Sequence, residues 1–97
     1  MKAIRKKPGA QPEIIEVDNT LKALQAEVGG YIEAISLDGM AFIVNEEGKL
    51  RGLPENFRFG NDVLVGTVLL VGTDGEVFCD VPEADFLMEN LREENNG

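Results

Sequence analysis

Histidine is missing from this 97-residue chain, and cysteine occurs once, at Cys79. Without histidine, the usual acid–base catalyst near neutral pH and the usual zinc ligand are both lacking. A single cysteine cannot close an internal disulfide, which fits a reducing cytoplasm. Cys79 has no histidine to act as its base, and in "VFCDV" it reads as a small buried hydrophobe. Ser36, the only serine, is in the same position. No apolar run approaches the roughly 18 residues that span a bilayer. The basic residues at the start are not followed by the apolar segment of a secretory signal. No membrane association is expected.

Positive charge is also scarce. Nine Lys and Arg stand against 18 Asp and Glu, a formal charge of −9. Such an excess keeps a small protein soluble and repels phosphate backbones over about one Debye length, roughly 8 Å in the cell. Direct binding of nucleic acid is therefore disfavoured. The charge is uneven: Lys2, Arg5, Lys6 and Lys7 form a basic head, while Asp74, Glu76, Asp80, Glu83, Asp85, Glu89, Glu93 and Glu94 are offset only by Arg92. The plain reading is two solvated edges; the functional reading makes Glu83, Asp85, Glu89, Glu93 and Glu94 an acidic face for a partner.

What is present is ordinary globular material. An apolar content of 43% supports a folded core. A chain this short forms one domain with a modest core and little room for a deep cleft. The expected domain runs over 1–92, with 93–97 as a frayed tail.

"KAIRKK" and "EIIEV" read as strands joined by a turn at Pro8–Gly9, with either Ala3 and Arg5 or Ile4 facing inward. "DNTLKALQAEVGG" reads as a helix. Asp18, Asn19 or Thr20 caps it, Leu21, Leu24 and Val28 share one face, and Gly29–Gly30 ends it. Phosphate capture at its start would need a glycine-rich loop that is not there. "YIEAISL" and "MAFIVN" pair about the Asp38–Gly39 turn. "DVLVGTVLLVG" is a central strand, or two divided near Gly66, and "VFCD" a last short strand. In "DVPEADFLMENL", Asp80 and Glu83 have the spacing of a capping box around Pro82. Ala84, Leu87, Met88 and Leu91 form the apolar face of that helix. The fold class is α+β: a mainly antiparallel sheet of about five strands with two helices, order β-β-α-β-β-β-β-α, the helices in a single layer on one side.

Residues 45–62, "NEEGKLRGLPENFRFGND", are harder to place. Asn45 and Gly48 suit a reversal. "KLRGLP" reads as a short strand ended by Pro54, with Leu50 and Leu53 over the edge of the core. "ENFRFGND" reads as a second loop; if extended, it puts Phe57 and Phe59 on one side and Arg58 on the other. Either the two rings plug the end of the core, or the segment is a recognition loop carried by a rigid sheet. In the second case Asn45 and Asn56 offer amide groups, Arg58 a forked cation, and Tyr31 a stacking ring.

"GGYIEAISL" at 29–37, "VNEEGKLRGLPEN" at 44–56 and "VGTVLLVGTDGE" at 65–76 resemble, in order and spacing, the blocks of domain-of-unknown-function family 3846. The likeness begins at "MKAIRKKPG" and runs through "EIIEV" and "TLKALQ" to Glu76. It implies a small protein of bacteriophages, prophages, plasmids and their bacterial hosts, with no agreed activity. Asn45, Glu47, Gly48, Gly52, Leu53, Pro54 and Asn56 match the family's central block, so the resemblance implies a shared surface there.

No catalytic or metal site is expected. Glu46 and Glu47, like Glu93 and Glu94, are adjacent and cannot face one another across a cleft. "DGMAFIVNEEG" lacks the alternating ligands of a calcium loop. The expectation is a non-catalytic binder without cofactor in the cytoplasm of a bacterial host. One version is a counter-defence inhibitor whose acidic surface blocks a host defence protein. A second is a sponge for a small nucleotide signal, with its pocket at a homodimer interface. A third is an accessory mobile-element protein with no defence role.

Overall fold

The computed structural model describes residues 1–92 of the chain. Glu93, Glu94 and the expected tail at 93–97 lie outside the described residues. The class is α+β. Strand β1 (Lys2–Lys6) pairs antiparallel with β2 (Glu13–Glu16), and helix α1 (Leu21–Val28) follows. Thr20 caps α1 by accepting from the Ala23 N–H at 3.1 Å. Gly29, at φ 81°, ends it in the left-handed conformation expected of a terminal glycine. Leu24 and Val28 are buried beneath the helix, whereas Leu21 lies outside the core.

Strands β3 (Ile32–Ser36) and β4 (Met40–Asn45) form the expected hairpin about Asp38–Gly39. The long apolar run divides at Gly66 into β6 (Asp62–Val65) and β7 (Val68–Asp74). β5 (Glu55–Phe59) pairs with β6 as a separate two-stranded ribbon. β8 (Val77–Cys79) returns along β7, and α2 (Ala84–Leu91) closes the described chain. The main sheet has the order β2-β1-β7-β4-β3, with β8 on the flank of β7 beyond β1. Every pairing is antiparallel.

β4 and β7 explain the layering. Ala41, Ile43, Leu69 and Val71 point to one face, where Leu24 and Val28 of α1 meet them. Phe42, Val44, Val68 and Leu70 point to the other, under Leu64, Phe57 and the Ala84, Leu87, Met88 and Leu91 face of α2. Strands apolar on both parities need cover on both sides. Each Val, Leu, Ile or Phe among them contributes roughly 1.5–3 kcal/mol when fully buried. The helices therefore lie on opposite faces rather than in one layer, and the β5–β6 ribbon completes the second cover. The main sheet holds six strands rather than about five. β1 resolves its register in the same way: Ala3 faces α1, and Ile4 faces α2.

The segment expected to be a short strand and a loop is instead a turn followed by a strand. Residues 46–52 form consecutive turns, and "ENFRF" becomes β5. Phe57 and Phe59 both meet the buried ring of Phe42 edge-on, at centroid separations of 5.5 and 5.0 Å. That contact pulls the segment into extended pairing with β6. The expected capping box at α2 also does not form. Asp80 instead accepts from the Lys2 N–H at 2.8 Å, which fixes the start of β1. Glu83 adopts φ 47° with no side-chain cap.

Candidate functional site

The central block is built around two asparagines. Asn45, at the end of β4, is buried. Its amide donates to the Val28 carbonyl at 3.1 Å, satisfying an orphan acceptor near the end of α1. Its side-chain oxygen accepts from the Glu47 N–H at 2.8 Å and turns the chain. Arg51 joins the same junction by donating to the Gly29 carbonyl at 3.0 Å. Position 48 favours glycine, because a Cβ would lie 2.8 Å from Val65 Cγ2. Gly52 occupies φ 67°, and the Leu53 N–H then closes the turn on the Gly48 carbonyl at 3.0 Å. The Pro54 carbonyl accepts from the Gly66 N–H at 2.7 Å. Asn56 donates to the carbonyls of Lys6 and Gly66, each at 2.7 Å, and accepts from the Lys6 ammonium at 3.1 Å.

The side chains of Asn45, Arg51 and Asn56 are thus committed to holding β4, α1, β1 and the β5–β6 ribbon together. Leu53 is half-buried, but Leu50 is 90% exposed and covers no core. Of the candidate residues, Tyr31, Glu47, Gly52, Pro54 and Arg58 reach the surface. Tyr31 and Glu47 come together at an open hollow of about 430 Å³ beside Lys22, Gln25, Gly29 and Gly30. Arg58 is exposed, on the side of β5 away from the two rings.

A second groove, of about 210 Å³, runs between β3, the 45–50 turn and β6. Glu33, Ile35, Lys49, Leu50 and Asp62 border it, none of which stood out as site residues in the sequence. Leu50 carried a signal, as a large hydrophobe among turn formers. Lys49 pairs with Asp62; that bond, and then the Val63 N–H, hold the Asp62 carboxyl below its usual range.

Glu83, Asp85 and Glu89 are all exposed on or beside α2. Phe86, 66% exposed, stands among them. Two of the four residues of the basic head are held in the fold, while Lys2 and Lys7 are exposed. Arg5 donates to Glu13 and Glu27 at 3.2 and 2.9 Å, and Lys6 is buried. The Arg5 contact lowers the Glu13 carboxyl, and Glu13 and then Glu27 raise Arg5. Among the described residues, no group of three or more His, Cys, Asp or Glu gathers as a cation site. No helix among them is long and apolar enough to cross a membrane.

The family model described as "Domain of unknown function (DUF3846)" matches residues 1–94. The chain belongs to this family. The match includes the 45–56 block, so the interlocked asparagines and glycines are the structural counterpart of a stretch inside the family's own span. No curated protein and no solved structure matches the chain.

Proposed function

We propose that this family member is a non-catalytic binding protein of the bacterial cytoplasm whose acidic surface occupies a basic groove on a partner protein. The observation that carries the reading is the asymmetry of charge use. Arg5 and Lys6 are tied into the fold, while Glu83, Asp85 and Glu89 stand exposed around Phe86. Carboxylates on a rigid helix substitute for phosphates, and complementary charge speeds the encounter. In the phage and plasmid setting implied by the resemblance, the partner is a host defence protein that handles nucleic acid, and the protein acts as a counter-defence inhibitor. Purified defence nucleases with basic substrate grooves provide the test. Inhibition should weaken as salt rises and fall when Glu83, Asp85 and Glu89 become Gln, Asn and Gln. Inhibition indifferent to both changes, or absent throughout, rules the reading out.

The hollow beside Tyr31 supports a second reading, the sequestering of a small nucleotide. Its volume of about 430 Å³ is in the range of small-ligand sites. Thermal-shift measurements against linear and cyclic nucleotides separate the two, since only a sponge is stabilised by them.

A further inference from the structure

We infer that β3 is a self-pairing edge through which two copies of this chain join their sheets. β4 occupies one side of β3, and no strand among the described residues occupies the other. The phase of the ladder is fixed at both ends. The Glu46 N–H donates to the Tyr31 carbonyl and the Leu37 N–H to the Met40 carbonyl, both at 2.8 Å. In an antiparallel ladder this alternation turns the backbone groups of Tyr31, Glu33, Ile35 and Leu37 toward β4. The N–H and C=O groups of Ile32, Ala34 and Ser36 therefore face outward.

These groups complement themselves. A twofold axis beside Ala34 sets Ala34 against Ala34 of the second copy, and Ile32 against Ser36. Each outward N–H then meets an outward carbonyl. The side chains agree with that register: Tyr31 falls opposite Leu37 of the second copy, and Glu33 opposite Ile35. No like charges are opposed. Tyr31, 65% exposed in the single chain, gains an apolar cross-strand neighbour.

β3 also carries few of the devices that block edge pairing, and its one charged residue, Glu33, falls opposite Ile35 of the second copy. It contains no Lys or Pro, and its register to β4 has no bulge. The other edge, β2, differs. The Val17 N–H donates to the Met1 carbonyl, so in this four-residue strand only Ile14 and Glu16 turn their backbone groups outward. The inference does not depend on the identity of the partner proposed above.

Analytical ultracentrifugation of the full chain at tens of micromolar tests the pairing. The expected result is a dimer that Ala34→Pro and Ala34→Lys each convert to a monomer. Proline removes one outward donor and is tolerated at an edge position; lysine retains every backbone donor but sets two ammonium groups against each other. Ala34→Cys in a Cys79→Ser background gives a second measure. Cα atoms of directly opposed, hydrogen-bonded residues lie about 5.5 Å apart, within disulfide reach. That variant should oxidise to a covalent dimer at least tenfold faster than Glu76→Cys in the same background. A monomeric wild type overturns the proposal. So does a dimer that survives both substitutions, or crosslinking no faster than the control.

Discussion

The side chain of Asn56 binds Lys6 twice, donating to its backbone carbonyl at 2.7 Å and accepting from its ammonium at 3.1 Å. Lys6 is 1% exposed, so its charge sits inside the fold. A buried ammonium is tolerated only where acceptors surround it. The Lys7 carbonyl supplies a further one at 3.0 Å. Asn56→Ala removes one acceptor and leaves the carbonyls of Lys6 and Gly66 without that amide. The expected loss is about 2–4 kcal/mol, from the cost of unsatisfied buried groups and of hydrogen bonds to charge. Urea denaturation measures it, and a loss under about 0.5 kcal/mol would show that the clip contributes little.

Gly48 and Val65 are locked by distance. A Cβ at position 48 would lie 2.8 Å from Val65 Cγ2, and the Asn45 backbone carbonyl limits the room to move at 3.3 Å. Gly48→Ala should destabilise by roughly 1–3 kcal/mol, as overpacking does. Val65→Ala removes the obstructing methyl. The double variant should therefore be more stable than the sum of the single losses, a coupling of at least about 0.5 kcal/mol. Additive losses in a urea double-mutant cycle would count against this contact as the reason for glycine.

Features governed by neighbours in the chain were legible in the sequence. The Thr20 cap, the Gly29 terminator and the Asp38–Gly39 hairpin each depend on a few adjacent residues. What escaped depends on distant partners. Asp80 has the local spacing of a capping residue, yet binds Lys2, 78 positions away. "ENFRF" reads as a loop until Phe42 supplies a ring for Phe57 and Phe59 to meet. The apolar runs of β4 and β7 leave the helices in a single expected layer, whereas the fold buries both faces and sets the helices on opposite sides. In the candidate block the residue types were visible, but not the destinations of the Asn45 and Asn56 amides.

Asp62 and Glu13 give stability a predictable dependence on acid. Both carboxyls titrate below their ordinary values in the fold, Asp62 chiefly through Lys49 and Glu13 chiefly through Arg5. The unfolded chain then binds more protons than the native one as pH falls, so their contribution is present above the unfolded pKa and lost through the folded one. Stability should decline on acidification below about pH 4.5, with Asp62 and Glu13 among the causes. Lys49→Met should move the Asp62 titration upward in carboxyl NMR, while the Val63 N–H keeps part of the depression. An unchanged Asp62 titration would dismiss the ion pair as its principal cause. Both groups are exposed, so high salt should shrink the shifts.

The outward side of α2 should separate stability from binding. Glu83, Asp85 and Glu89 are exposed, whereas Leu87, Met88 and Leu91 join Ala84 against the sheet. Exchanging the three carboxylates for Gln, Asn and Gln removes charge and leaves the packing intact. Glu89 makes only an exposed ion pair, with Arg92 at 3.7 Å, so each exchange should shift stability by only about 0.5 kcal/mol. Leu87→Ala instead removes packed atoms, with a loss of roughly 2–4 kcal/mol expected for a partly buried position. If the acidic face captures a basic partner, the triple exchange weakens binding at unchanged melting temperature and flattens its salt dependence. Leu87→Ala lowers the melting temperature but retains that dependence while the chain stays folded. The reverse pattern would move the binding surface off this helix.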